Sequence, residues 1–389
     1  MKKICILTSI HPAKDARIFY KQACSLVKAG FEVALIAQAP NDVPPSDVQL
    51  EEGERDSGVR FFYFPAVLGR RQRWSNRKRI FAMACAQKAD AYLFHDPDLI
   101  GVGLKLQKKL GRPVVYDVHE YYGDSLRSRQ WIPKLLRPLL AAGFDCYEKW
   151  AARRLAGIMT VNEHMAAQFA GVNPKGVVLY NYALRHQYDF PEPTQERFAG
   201  LPHIIYVGSL NRERGLEVIL AAMPWVMERF PEARCTLVGE VDTAGLDARF
   251  LPLEPWLERG RIELTGVIPY QRVPDIISTG TVALVPLLAT LNYIKAIPVK
   301  LIEYMAAGVP VVGSGFGHIE RIVTESGCGV LAEAGDPQGL AEAICALIED
   351  RERAWQCAGR GYRAFRECYS WESEEPKLVS FFKDVILQI

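Results

Sequence analysis

The sequence has no apolar run long enough to cross a membrane. Its longest apolar stretches, such as residues 281–290, fall well short of the roughly 20 residues that a spanning helix needs. The apolar segment after Met1 is interrupted at residues 9–12, which argues against a secretion signal. These two absences predict a cytoplasmic protein.

The sequence also lacks an excess of charge of one sign. The 389 residues carry 47 Lys and Arg against 45 Asp and Glu, a formal net charge of +2, and 49% of them are hydrophobic. This composition is typical of an ordinary globular chain. Whole-chain charge therefore indicates no partner, and nucleic acid is not expected to be one because no recognition motif is present.

Two chemical signatures are absent as well. The nine cysteines form no C-x-x-C pair and no Cys/His spacing typical of a zinc site, so they are predicted to be buried thiols in a reducing compartment. No G-x-G-x-x-G follows the first strand of either half with an acid about 20 residues later. This second absence counts against a dinucleotide-dependent oxidoreductase.

Short apolar segments alternate with helical patterns from the start of the chain. Residues 3–8 and 31–37 are near-continuous apolar strands around a helical pattern that ends at Gly30, and such a β-α-β unit implies a parallel sheet. The remaining strands of this half are predicted at 59–64, 91–94, 114–118, 158–161 and 177–180. Residues 1–183 are therefore predicted to form a Rossmann-like domain.

The alternation stops and then restarts. Residues 184–202 are polar, carry three prolines and lack periodicity, which is typical of an interdomain linker. Residues 203–365 again alternate strands with helices, and 366–389 are predicted to be a C-terminal helix that packs back on the N-terminal domain. The predicted fold class is α/β, with two Rossmann-like domains facing each other across a cleft.

The opening turn of the second domain indicates an anion site. Gly208 ends a predicted strand, and Gly215 precedes a helix whose free N–H groups point out of the sheet, with Arg212 and Arg214 beside them. Such a turn suits a diphosphate. A glycine turn with a purely geometric role is the alternative.

A second signal follows at residues 298–313. Lys300 and Glu303 are three positions apart on a short helix, hence on one face, and Gly308 ends that helix before a buried strand. A cation and an anion are thus presented together at a strand entrance. An exposed helical ion pair is the alternative.

These segments together resemble the retaining glycosyltransferases of family 4, which adopt the GT-B fold. The resemblance covers nearly the whole chain, is strongest from about 203 to 342, and includes the Pro-x-Lys-x-x-Glu-Tyr-Met of one sub-branch at residues 298–305. It implies that the second domain binds a nucleotide sugar. The family's first phosphate-binding cation is Ser209 here, so Arg214 keeps the second cation, with Arg212 or Lys300 supplying the missing charge.

The same resemblance implies further donor contacts. Glu303 matches the second glutamate of the family's E-x7-E motif, which hydrogen-bonds ribose hydroxyls, whereas Lys295 stands at the first position. Gly266 and Val267 match a segment whose backbone meets the base. Gly317 lies in the counterpart of a glycine-rich turn.

In the first half, His119 follows a predicted strand and matches the histidine that the family holds near the reacting carbon of the sugar. A hydrogen-bonded structural histidine is the alternative. His95 resembles a second histidine of the sub-branch, with a substrate role or a role in positioning its turn. Arg17 lies where many relatives have a Gly-Gly loop, and either binds a phosphate or anionic acceptor or pairs with Asp15 at a helix start.

The resemblance implies that the first domain binds the acceptor, and a basic run in this domain predicts contact with a membrane. Residues 70–79 hold six cations and Trp74 without an acid, and residues 131–140 add a basic, apolar stretch. Such a run predicts peripheral contact with an anionic membrane through 70–79, on the inner face of the cell membrane. A solvated face without a partner is the alternative.

The resemblance therefore implies a hexosyl- or N-acetylhexosaminyl-transferase. The resemblance implies that this enzyme moves a sugar from a UDP- or GDP-sugar to a lipid-linked glycan or other cell-surface polysaccharide precursor, with retention. No cofactor or metal is expected, since no D-x-D motif stands in a persuasive setting, and His119, Lys300 and Glu303 are the catalytic candidates. The alternatives are a nucleotide-sugar epimerase or phosphorylase on the same fold, and a non-catalytic nucleotide-sugar-binding protein.

Overall fold

The computed structural model describes residues 1–40, 43–66, 70–128 and 132–387. The chain divides into two units: an amino-terminal unit, Met1–Asn181 with the chain from Glu374 onward, and a carboxy-terminal unit, Tyr182–Ser373. Each unit is built on one parallel sheet, as the near-continuous apolar strands predict.

The amino-terminal sheet has seven strands in the order β3-β2-β1-β4-β5-β6-β7. All of the pairings are parallel, and β4 and β5 are buried along their whole length. The strands are β1 Lys3–Pro12, β2 Glu32–Gln38, β3 Val59–Phe64, β4 Ala91–Phe94, β5 Val114–Val118, β6 Gly157–Thr160 and β7 Gly176–Val178.

Helices connect these strands. A π-helical segment, Ala16–Ala23, runs directly into the first α-helix, and short 3-10 turns occupy Pro97–Leu99 and Lys134–Leu136. The α-helices are α1 Cys24–Lys28, α2 Glu52–Asp56, α3 Arg70–Gln87, α4 Ile100–Leu110, α5 Tyr122–Ser128, α6 Arg137–Ala152 and α7 Glu163–Phe169.

The carboxy-terminal sheet has six parallel strands in the order β10-β9-β8-β11-β12-β13. They are β8 His203–Val207, β9 Arg234–Val238, β10 Ile262–Gly266, β11 Val282–Val285, β12 Val311–Ser314 and β13 Gly329–Ala332. The helices are α8 Leu216–Arg229, α9 Glu254–Arg259, α10 Val273–Ser278, α11 Leu291–Lys295, α12 Val299–Ala306, α13 Gly317–Ser326, α14 Pro337–Glu349 and α15 Arg351–Glu367, with 3-10 turns at Arg185–Tyr188, Gln195–Phe198, Ala248–Phe250 and Tyr270–Arg272.

The last helix, α16 (Trp371–Leu387), passes from the carboxy-terminal to the amino-terminal unit. The Glu374 side chain accepts a hydrogen bond from the backbone N–H of Tyr180, and Glu375 accepts from Ser25 Oγ at 2.9 Å and Lys28 Nζ at 3.0 Å. These bonds fix the end of the chain to the first unit. The region predicted as one helix over 366–389 holds the end of α15, a short break and α16.

Two Rossmann-like units confirm the predicted α/β fold class. Residues 184–202, predicted as a linker, belong to the carboxy-terminal unit. Half-buried Arg197 explains this placement, because its guanidinium donates to the carbonyl oxygens of Ala307, Gly308, Ser278 and Gly280 at 2.6–3.1 Å.

Two features of the structure concern the predictions about membrane spans and cysteines. Within the described ranges, no helix combines the length and apolar character that a membrane crossing requires. The nine cysteines are free thiols, but Cys146 and Cys368 are exposed, so the prediction of burial is wrong for these two.

Replacing Arg197 with alanine is expected to destabilise the carboxy-terminal unit by about 3 kcal/mol, because buried carbonyl groups lose a charged donor. Urea unfolding followed by tryptophan fluorescence measures this change. Exposed Arg249, which pairs with Asp247, provides the control, and its alanine variant is expected to unfold like the parent. Equal midpoints for the two variants would contradict the role given to Arg197.

Candidate functional site

Three neighbouring strands of the carboxy-terminal sheet lead into glycines with positive φ. Gly208 follows β8, Gly239 follows β9 and Gly266 ends β10, with φ of 128°, 143° and 68°. A Cβ on Gly239 would lie 2.2 Å from the Gly208 carbonyl oxygen, so the close approach of these backbones requires glycine. The carboxyl ends of these three strands thus present backbone without side chains.

Two cations converge on the first of these turns. A Cβ on Gly208 would lie 3.0 Å from Lys300 Nζ and 3.3 Å from Arg214 Nη1. Lys300 Nζ also lies 3.5 Å from the centroid of the Tyr206 ring, which is a cation–π contact. We call Tyr206, Gly208, Arg214, Lys300 and Glu303 the Lys300 cluster.

The ammonium of Lys300 is buried in an unusual way. The residue is 8% exposed, and no hydrogen-bond partner for its Nζ occurs in the part of the chain that the structure describes. Burial, and then the charge of Arg214, hold the pKa of Lys300 well below its usual range, and Glu303 acts in the opposite direction. A site that brings two cations together in this way suits an anion.

Arg214 is held in place from two sides. Its Nε donates to the Tyr293 hydroxyl at 3.1 Å, and its backbone N–H donates to Asn211 Oδ1 at 3.0 Å. Gly215 follows in the left-handed region, with φ of 83°, and starts α8. The N-terminus of α8 therefore lies next to Arg214, as the sequence predicts.

Other predicted donor residues lie around this cluster in different settings. Arg212 is exposed, and its Nε lies 3.7 Å from Glu217 Oε2. Val267 follows Gly266 and is 76% exposed. Lys295 ends α11, and a Cβ on Gly317 would lie 2.6 Å from the carbonyl oxygen of Ile294, so the start of α13 packs on that helix.

In the amino-terminal unit, three histidines lie at the carboxyl ends of the adjacent strands β1, β4 and β5. His119 Nε2 lies 3.2 Å from His11 Nε2, and the rings of His119 and His95 are 5.9 Å apart. His95 is 1% exposed, with Nδ1 at 3.2 Å from Asp117 Oδ2. We call these three histidines with Asp96 and Asp117 the histidine cluster.

Arg17 holds Asp117, one member of this cluster, in place. Its Nε and Nη2 donate to the two oxygens of Asp117, both at 2.8 Å, and its Nη1 donates to the Leu179 carbonyl oxygen. Burial opposes ionisation of Asp117, but Arg17 and His95 outweigh it and hold the pKa of that carboxyl well below its usual range. The side chain of Arg17 thus pairs with Asp117, whereas only its backbone N–H is bonded by Asp15.

The histidine cluster also has atoms of types that bind metals. Ligand atoms of His95, Asp117 and His119 lie within 4.8 Å of one another. However, both Asp117 oxygens already accept hydrogen bonds from Arg17, and Gln22 Nε2 donates to Oδ2 at 2.7 Å. Because the guanidinium already neutralises this carboxylate, we treat the group as a hydrogen-bonded cluster and not as a metal centre.

Several members of the two clusters do not stand out in the sequence. Tyr206 contacts Lys300 from a position inside a strand, where the sequence pattern gives no sign of a site. His11, Asp96 and Asp117 lie at strand ends, and only the order of the strands brings them together. Polar residues at the carboxyl ends of buried strands are the signal that could have identified them.

Most of the sequence matches two families of glycosyltransferase domains. Residues 16–181 match the family described as "Glycosyl transferase 4-like domain", and residues 201–350 match "Glycosyl transferases group 1". The phosphatidyl-myo-inositol mannosyltransferase of Mycobacterium leprae is 22% identical over 375 residues, which cover 92% of this chain and 89% of the relative.

Solved structures show the same fold. The sucrose-phosphate synthase of Thermosynechococcus elongatus superposes with a TM-score of 0.73 over 100% of both chains at 17% identity. Anabaena HepE in complex with UDP-glucose gives 0.70 at 16% identity, covering 99% of this chain and 100% of HepE. The protein is thus a glycosyltransferase with the GT-B fold. Within that class it belongs to family 4, as the two family matches show.

Replacing Lys300 with methionine is expected to stabilise the carboxy-terminal unit at neutral pH. The pKa of Lys300 is lower in the folded state than the ordinary value of about 10.4. Protonation below that value therefore favours unfolding, and the wild type gains stability as pH rises toward 10. Urea unfolding between pH 6 and 10 should show a stability difference that narrows as pH rises.

Lys295→Met is the matched control for this experiment, since Lys295 is not buried. We expect it to follow the pH dependence of the wild type. A Lys300→Met variant that follows the same curve would show that the ammonium carries no burial penalty.

Proposed function

We propose that this glycosyltransferase uses a UDP- or GDP-sugar, and that the Lys300 cluster holds its pyrophosphate. The observation that carries this proposal is the buried Lys300 ammonium beside Arg214 at the Gly208 turn. A diphosphate placed there would supply the negative charge that these cations lack, and N–H groups at the start of α8 would add hydrogen bonds.

The remaining donor contacts follow from the same edge of the sheet. Glu303 is buried one turn after Lys300 on α12, where its carboxylate can accept from both hydroxyls of a ribose. Gly266 and the exposed Val267 offer backbone groups and an apolar side chain for the base. The complexes of Anabaena HepE with UDP and UDP-glucose support a uridine nucleotide as the first donor to test.

We propose that transfer proceeds with retention, and without a cofactor or metal ion, through an oxocarbenium-like transition state. Charge develops on the leaving diphosphate, and Lys300, Arg214 and the α8 N-terminus are positioned to stabilise it. His119 is assigned to orient the sugar rather than to attack it. Donor binding is assigned to the carboxy-terminal unit and acceptor binding to the amino-terminal unit.

A cavity of about 180 Å³ next to His119 is our candidate for the acceptor. Its lining includes Glu120, Tyr121, Arg127 and Glu148, groups that hydrogen-bond to hydroxyls or bind a phosphate. Burial raises the pKa of Glu148 to about 7, so this carboxyl also donates a proton near neutral pH. The name of the mycobacterial relative supports an acceptor with a lipid, either a lipid-linked glycan or another precursor of a surface polysaccharide.

A lipid acceptor requires access to a membrane, and the amino-terminal unit has an exposed apolar face. Leu135 and Leu139 are 92% and 70% exposed, and Leu136 and Leu140 lie between and after them. Lys134 and Arg137 are interspersed in this segment, so the face combines apolar and basic groups. We propose that it contacts an anionic bilayer together with the basic run at 70–79. Trp131 and the side chains of 70–74 lie outside the described residues.

The donor site is tested by measuring nucleoside diphosphate released from UDP- and GDP-sugars. Arg214→Ala and Glu303→Ala are each expected to lower kcat/KM at least about 100-fold, since each removes a charged contact to the donor. Arg259→Ala is the control, because Arg259 ends α9 at the amino edge of the sheet, and it should keep full activity.

Full turnover by an Arg214→Ala, Glu303→Ala double variant would contradict the proposed donor site. Turnover of the nucleotide sugar without any acceptor would identify an epimerase instead. NMR of the glycosidic product reports the anomeric configuration, and an inverted product would contradict retention.

A Leu135→Ser, Leu139→Ser double variant is expected to bind vesicles of phosphatidylglycerol and phosphatidylcholine at least about tenfold more weakly, because two apolar side chains no longer enter the bilayer. Vesicle sedimentation at low and high salt measures the partition. Leu201→Ser is the control, because Leu201 is an exposed leucine of the carboxy-terminal unit. Equal loss in both variants would refute this membrane face.

A further inference from the structure

Two histidines that are 108 residues apart in the sequence meet ring nitrogen to ring nitrogen. His11 Nε2, at the end of β1, lies 3.2 Å from His119 Nε2, which follows β5. At this separation one hydrogen can lie between the two nitrogens, on one ring or the other. The structure therefore poses the question of which ring carries it.

The surroundings of His119 answer the question. Its Nδ1 lies 3.3 Å from the backbone carbonyl oxygen of Asp117, which can only accept a hydrogen bond. A neutral His119 thus carries its hydrogen on Nδ1 and presents a lone pair on Nε2. The hydrogen between the two rings consequently belongs to His11.

The other nitrogen of His11 also faces an acceptor. His11 Nδ1 lies 3.5 Å from Asp15 Oδ2, and its Nε2 is also 3.4 Å from Asp96 Oδ1. Asp15 keeps its place because its other oxygen accepts from the backbone N–H groups of Arg17 and Ile18. Both nitrogens of His11 thus face acceptors, which is the environment of a doubly protonated ring.

The charged groups around the pair act in the same sense. Facing His11 are Asp15, Asp96 and Glu120, and the hydrogen bond to Asp15 is the main reason that the pKa of His11 is raised. The pKa of Asp15 is lowered to about 2 against the effect of its burial. Facing His119 are Asp117, His95 and Arg17 in addition to His11, and burial is the main reason that the pKa of His119 is lowered. These effects separate the pKa values of the two rings, and they favour an imidazolium at His11 and a neutral imidazole at His119.

We propose that His11 is a positioning residue of this transferase, whose doubly protonated ring donates a hydrogen bond to His119 Nε2 and fixes the tautomer and orientation of that ring. Its importance for transfer rests on the proposed function, whereas the paired state of the two rings does not.

A consequence concerns the chemistry of His119. With Nδ1 donating to a carbonyl oxygen and Nε2 accepting from His11, neither nitrogen is free to remove a proton or to attack the sugar. His119 then meets a sugar through its ring carbons and its backbone. Deprotonation of His11 removes one of the two hydrogens on which Asp15 and His119 depend, so the rate is expected to fall as pH rises through the pKa of His11.

The paired state is tested first without any substrate, by 15N NMR of the imidazole rings in the full-length protein. At pH 6, His11 should be doubly protonated and His119 neutral with its hydrogen on Nδ1. A His11→Phe substitution should release His119 into a mixture of tautomers. A protonated His119, a hydrogen on its Nε2, or a neutral His11 at this pH would each overturn the proposal.

The role in transfer is tested by the pH dependence of kcat/KM. The amide of a His11→Gln variant donates a hydrogen bond but does not titrate, so it should keep activity within about tenfold of the wild type and lose the fall at alkaline pH. His11→Phe should be at least about tenfold slower than His11→Gln at every pH. Asp15→Asn keeps a helix-capping side chain but removes a negative charge, so it should move the alkaline fall to lower pH.

Exposed His186 in the carboxy-terminal unit provides the control, and His186→Gln should leave the profile unchanged. Full activity of His11→Phe, or an alkaline fall that persists in His11→Gln, would overturn the role of His11. If the wild type transfers no sugar while NMR shows the paired rings, the proposed function fails and the paired state stands. If transfer is observed and the rings are not paired, the failure is that of His11 alone.

Discussion

The buried ammonium of Lys300, for which the described residues provide no hydrogen-bond partner, is the constraint on which our proposal for the carboxy-terminal unit depends. It lies against the Tyr206 ring and beside a second cation, Arg214, at a turn where the backbone is bare. A buried charge in this state lowers the stability of the free protein, and functional sites commonly carry such penalties. An anion bound there would relieve the penalty, so the proposed donor binding would be thermodynamically linked to the stability of this unit.

The amino-terminal unit treats its buried charges differently. Asp117 is matched by Arg17 through two hydrogen bonds, and the histidines above this pair contact carboxylates or each other. Among the described residues, the carboxy-terminal unit thus holds a buried cation without a hydrogen-bond partner, whereas in the amino-terminal unit Arg17 neutralises the buried carboxylate of Asp117 and fixes its orientation. Both arrangements lie at the carboxyl ends of parallel strands, the edge at which open α/β sheets bind ligands.

The sequence predicts the fold well because near-continuous apolar strands are a strong local signal. β13 is missed, since Gly329–Ala332 is short and only half-buried along its length. At the site, Lys300 and Arg214 are identified by their motifs, but their contact with Tyr206 is not. The partner of Arg17 is 100 residues away, and His11 meets His119 only because β4 pairs with both β1 and β5. Such pairings depend on strand order and register, which local patterns do not specify.

The chain passes between the two units twice, the second time within α16. A ribosome therefore releases the residues that complete the first unit only after the whole of the second unit has been synthesised. Until Glu374 emerges, the backbone N–H of Tyr180 lacks its acceptor, and Ser25 and Lys28 lack Glu375. During translation the carboxy-terminal unit can become native first, so the order of maturation reverses the usual N-to-C order of folding.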